Sequence, residues 1–102
     1  MTMKENKMVV GVMKLELRLP QAHSLKEKRG QLKRMLNQLK SSYNVSAAEV
    51  SNNDLWQDAV IGITLVGNET AFINSAMDQI LNYVEGLDFG QLINQQIEII
   101  HV

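Results

Sequence analysis

Met13-Lys14-Leu15-Glu16-Leu17-Arg18-Leu19-Pro20-Gln21-Ala22-His23-Ser24-Leu25-Lys26-Glu27 changes its periodicity partway through, and that change decides the fold. Over residues 13–19 apolar and charged side chains alternate, the period of two that sends one set inward and the other outward in a strand. Pro20 ends the run, because it cannot donate to a β-ladder. Ser24-Leu25-Lys26-Glu27 then has the form of a capping box: the serine hydroxyl satisfies an orphan helix amide while the glutamate reaches back. The expected elements are a strand from Met8 to Leu19 and a helix from Leu25 to Ser41. The helix is expected to bury Leu25, Leu32, Met35, Leu36 and Leu39.

Downstream, Tyr43 to Val50 reads as a second strand and Ser51-Asn52-Asn53-Asp54 as a turn. Gln57 to Val66 reads as a third strand, nearly continuous in apolar residues. Asn68 to Glu85 has helical spacing at Phe72, Ile73, Ala76, Met77, Ile80, Leu81 and Val84, with Asn68 or Thr70 as its cap and Gly86 as a left-handed terminator. Leu87 to Ile93 reads as a connection and Gln95 to Val102 as the last strand. The order β-α-β-β-α-β predicts an α+β, ferredoxin-like sandwich, a four-stranded antiparallel sheet with two helices on one face. Residues 1–7 are expected to be a flexible extension and residues 8–102 a single domain.

The chain has 102 residues and no cysteine, which excludes disulfides, thiolate metal sites and cysteine nucleophiles. No apolar run approaches the roughly 20 residues of a membrane helix, and the N-terminus lacks the form of a signal peptide, so a cytoplasmic protein is expected. The net charge of −1 conceals a split. Residues 1–40 hold all ten Lys and Arg against three acids, giving +7; residues 41–102 hold eight acids and no Lys or Arg, giving −8. Such asymmetry points to an electrostatic contact surface.

On the first helix, Lys26, Arg29, Lys33 and Lys40 form one basic ridge beside the apolar stripe, suited to a nucleic-acid backbone. Lys14 and Arg18, on the first strand, are additional nucleic-acid contacts if the open sheet face takes part. The same residues also fit a solvated helix face whose lysine stems cover apolar surface. Ser24 and Lys28, at the helix start, are candidates to hold a phosphate or carboxylate. The sheet face away from the helices is expected to carry Val10, Val12, Val60, Thr64, Val66 and Ile100, more apolar surface than solvation needs, which predicts a homodimer. Trp56, the only tryptophan, anchors the hairpin or an interface, or offers a stacking platform for a base. His23 and His101 have no evident catalytic partners, and no His or acid spacing matches a metal site. Neither an enzyme nor a cofactor is expected, nor a membrane or small-molecule partner.

Three motifs together resemble the YlxP-like family of small bacterial proteins of unknown function. They are His23-Ser24-Leu25-Lys26-Glu27-Lys28-Arg29, Tyr43-Asn44-Val45-Ser46-Ala47-Ala48-Glu49-Val50 and Asp54-Leu55-Trp56-Gln57-Asp58-Ala59. The resemblance runs from Met8 to Glu85. It implies a ferredoxin-like fold, a bacterial origin and, because such proteins are often encoded beside transcription and translation factors, an RNA- or ribosome-linked role. By position the motif residues are Ser24, Leu25, Lys26, Lys28, Arg29, Asn44, Ser46, Glu49, Val50, Asp54, Trp56 and Gln57. Tyr43 stands where the family usually has phenylalanine, and Asp58 where a basic residue is frequent. The resulting expectation is a non-enzymatic RNA- or ribosome-binding protein. A module docking an acidic protein and a small-ligand domain are the alternatives.

Overall fold

A computed structural model describes residues 7–102. The chain runs β1 (Val9–Arg18), α1 (Leu25–Ser42), β2 (Ser46–Ser51), β3 (Asp58–Gly67), α2 (Thr70–Glu85) and β4 (Gln91–His101). The strands form one antiparallel sheet in the order β2-β3-β1-β4, so the two most apolar strands are central. This is the ferredoxin-like arrangement. The expected extension over residues 1–7 lies, apart from Lys7, outside the described residues.

Alternation places Met13, Leu15 and Leu17 of β1 and Ala59, Ile61, Ile63 and Leu65 of β3 on the helix-facing side, all buried. They pack against Leu32, Met35 and Leu39 of α1 and Ile73, Met77, Ile80 and Val84 of α2. Each such Leu, Ile or Met contributes about 1.5–3 kcal/mol of burial. The approach of α2 to the sheet depends on Gly11, where an added Cβ would stand 2.9 Å from side-chain atoms of Ile73, Leu65 and Met77.

Several expected details differ. The α2 N-cap is Glu69, with no side-chain cap bond, rather than Asn68 or Thr70. Gly86 ends α2 with φ of −87°, so its left-handed freedom is not used. Phe72 is 63% exposed, because it sits to the side of the α2 arc centred on Ile73, Met77, Ile80 and Val84. β4 starts at Gln91, four residues before the expected Gln95, and its register shifts opposite Glu16 and Leu17. An edge strand pairs through its backbone, so the polar run Asn94-Gln95-Gln96 extends the sheet without any apolar alternation to announce it.

Candidate functional site

The helix α1 carries six of the ten basic residues and presents them in two directions. Its buried residues are Lys28, Leu32, Met35 and Leu39, while Leu25 is only half-buried. At about 100° per residue these four span an arc of about 60°. From the centre of that arc Arg29, Lys40, Lys33 and Lys26 follow at about 90°, 110°, 130° and 150°. All four are exposed, and none has an acidic partner among the described residues. The ridge thus points further outward than a buried stripe that includes Leu25 and Leu36 implies.

The start of α1 is closed by its own side chains. Ser24 Oγ accepts from the Glu27 amide at 3.1 Å, and Glu27 Oε2 accepts from the His23 amide at 2.8 Å. The carboxylate lies over the cap, where it complements the helix dipole.

Lys28 corrects the expectation of an anion site at this end. Its side chain is fully buried. Nζ donates to the carbonyl oxygens of Asn52 and Leu55, both at 2.6 Å, and lies 2.8 Å from Glu49 Oε2. The carboxylate contact is ionic rather than a directional hydrogen bond. An ammonium with no exposed surface, bonded to two carbonyls and neutralised by a carboxylate, has nothing left for an external anion. Without Lys28, and with Glu27 over the cap, Ser24 does not form an anion cradle.

What Lys28 does instead is shape the β2–β3 turn. Asn52 adopts φ of 62°, the left-handed region that asparagine tolerates. Its carbonyl accepts both Lys28 Nζ and the Leu55 amide, the latter at 3.0 Å. Gln57 ties the other end: its side-chain amide donates to the carbonyls of Pro20 at 3.1 Å and Ala22 at 3.3 Å, and its own carbonyl accepts from the Leu19 amide at 2.8 Å. Trp56 stands between these two fastened residues with 53% of its surface exposed, beside an exposed Leu55. The three sequence motifs therefore meet at one end of the sheet: Lys28 from the first, Glu49 from the second, and Leu55 and Gln57 from the third. Sequence reasoning missed this cluster. Its available signal was Glu49, an acid on the helix-facing side of β2, opposite the buried Ile61.

Arg18 and Lys14 occupy the open sheet face, away from the helix layer, and do not extend the α1 ridge. Arg18 lies 3.4 Å from Asp58 Oδ1 and 3.4 Å from Gln57 Oε1. On the same face Val10 and Val12 are half-buried, whereas Thr64, Val66 and Ile100 are exposed. Val60 is buried and lines a hollow shared with Lys14, Glu16, Ser51 and Asn94. Val50, absent from the expected set, lies over Gly62, where an added Cβ would stand 3.0 Å from its Cγ1. Among the described residues no group of His and acids could hold a metal ion, and no helix is long and apolar enough to cross a membrane.

The solved structure of the de novo designed protein Foldit4 matches with a TM-score of 0.50 at 17% identity, covering 93% of this chain and 96% of that one, a likeness of fold alone. The uncharacterized protein YlxP of Bacillus subtilis is 31% identical over 77 residues, which is 76% of this chain and 84% of that protein. The model of a family described as "protein of unknown function (DUF503)" matches residues 10–97, spanning every element from β1 to most of β4 and all three motifs. The chain belongs to the DUF503 family.

Proposed function

We propose that this protein is a non-enzymatic RNA-binding protein that engages RNA, free or on a ribosomal surface, through the outer side of α1. The observation that carries the reading is the outward ridge of Lys26, Arg29, Lys33 and Lys40, exposed and without acidic partners among the described residues. A row of unpaired cations on a rigid helix suits a regular series of phosphates, whose condensed counterions are released on binding. The near-neutral total charge keeps such binding selective, since residues 41–102 carry eight acids and no Lys or Arg.

The test is fluorescence anisotropy with labelled single-stranded RNA of about 16 nucleotides, between about 50 and 200 mM salt. Four phosphate contacts give a log–log salt slope of about −3. The triple variant Lys26→Gln, Lys33→Gln, Lys40→Gln is expected to bind more weakly, with a slope of about −0.7 from the remaining Arg29 contact. An unchanged slope removes the ridge from the mechanism. Capture of a protein partner that survives nuclease treatment, with no RNA affinity, replaces this reading with that of an acidic-protein docking module.

The open sheet face supports a second, compatible proposal, a homodimer through Val10, Val12, Val66 and Ile100. The observation in its favour is the exposure of Val66 (53%) and Ile100 (40%) next to the half-buried valines. A monomer by light scattering at micromolar concentration removes it.

A further inference from the structure

The β2–β3 turn is fastened far more firmly than a surface loop requires, and the residue it holds out is the chain's only tryptophan. On one side the Leu55 carbonyl is bound at 2.6 Å by the fully buried Lys28 ammonium. On the other, Gln57 is fixed to the β1–α1 connection through its side chain and its carbonyl. Burying an ammonium costs several kcal/mol of desolvation that its partners only offset, so this arrangement is better understood as specifying a shape than as adding stability. The shape it specifies leaves 53% of Trp56 and 48% of Leu55 in water. A tryptophan placed for packing would be turned inward.

The turn is also at the end of the sheet where α1 begins, since Lys28 reaches it from the second turn of the helix. Lys26 and Arg29 flank Lys28 in sequence and point outward. A pre-positioned aromatic surface beside a cationic helix start is the combination that binds single-stranded nucleic acid: cations take the backbone and the ring takes a base, whatever its identity. We propose that Trp56 is a stacking platform for one unpaired base of an RNA strand whose phosphates lie on α1. This deepens the RNA reading and rests on it.

Trp56 is its own reporter, because no other tryptophan contributes to the fluorescence. Titration of the full chain with oligouridylate is expected to quench its emission, with the same midpoint as an independent anisotropy curve. Trp56→Leu is expected to weaken oligouridylate binding by about 5- to 150-fold, the range of one base–aromatic stack. Its salt slope should stay unchanged, because no charge is lost, and Trp56→Phe should retain most of the affinity. Both variants should unfold at the wild-type urea midpoint, the side chain being half exposed. Normal affinity in Trp56→Leu, with unquenched wild-type emission, overturns the stacking role while leaving the α1 ridge standing. A Trp56→Leu variant that turns a dimer into a monomer with RNA affinity intact makes Trp56 an interface residue, which also overturns it. Absence of any oligouridylate or other RNA binding by the wild type overturns the RNA reading itself, and the platform with it.

Discussion

Lys26 and Lys28 are two residues apart on α1 and have opposite physical roles. Lys28 is wholly buried with its ammonium between two carbonyls and a carboxylate, whereas Lys26 is exposed and unpaired among the described residues. A helix separates neighbours by about 100°, so one element serves as both core strut and charged surface. The difference also shows why counting cations overstates a basic patch. Of the six on α1, Lys28 belongs to the interior, and on β1 Arg18 faces Asp58 in an exposed ion pair.

Removing the buried member should have the largest effect. Lys28→Met leaves Glu49 with its charge unpaired, 15% exposed, and strips a donor from the Asn52 and Leu55 carbonyls. Losing one partner of a buried pair typically costs about 3–5 kcal/mol. That is a large share of the roughly 5–15 kcal/mol that holds a domain of this kind together. Urea denaturation is expected to show the loss as a lowered midpoint. Lys28→Met with Glu49→Met is expected to recover part of it, because the orphan charge is gone while the two carbonyls still lack their donor. A single variant as stable as wild type would mean that the ammonium is dispensable, and the contrast between the two lysines would collapse.

The outer face offers a smaller test in the opposite direction. Gly30 is in the interior of α1, and a Cβ there would meet nothing within 4 Å. Its helical backbone suits alanine, so Gly30→Ala should stabilise the protein by about 0.4–1 kcal/mol, mainly by restricting the unfolded chain. The same denaturation measurement checks this. Destabilisation would show that the outer side of α1 is covered, and with it the ridge.

Much of this division was legible in the sequence, and the part that was not has a definite cause. The shift from period two to helical spacing at Pro20, with the Ser24–Glu27 cap, located β1 and α1 within a residue or two. Alternation along β1 placed Val10, Val12, Lys14 and Arg18 on the open face. Helical spacing, however, gives only relative angles. Taking Leu25 as a core position moved the buried arc away from Lys28, which the structure places well inside it. A lysine ranks among the least buried residue types, so the apolar pattern alone cannot flag it. Only Glu49, an acid facing inward from β2, carries the complementary half of the signal, and its meaning depends on a contact 21 residues away in sequence. Likewise Gln57 reads as an ordinary polar strand residue until the β1–α1 connection is folded against it.

The smallest expected effect is the stability of the triple ridge variant, Lys26→Gln, Lys33→Gln and Lys40→Gln. Lysine and glutamine have nearly equal helix propensity. Lys26 is in the first turn, where a cation opposes the helix dipole, and Lys40 in the last, where it is favoured, so those two losses nearly cancel at about 0.3 kcal/mol each. Arg29 and Lys33 are four residues apart on one face, and removing their repulsion returns about 0.2–0.5 kcal/mol. The sum predicts a urea midpoint equal to wild type or slightly above it, while the salt-dependent RNA affinity falls. A midpoint that drops by as much as Lys28→Met would make the outer lysines structural as well. Cations whose removal leaves the fold no weaker contribute nothing to its stability, which leaves that side of α1 free to serve as a contact surface.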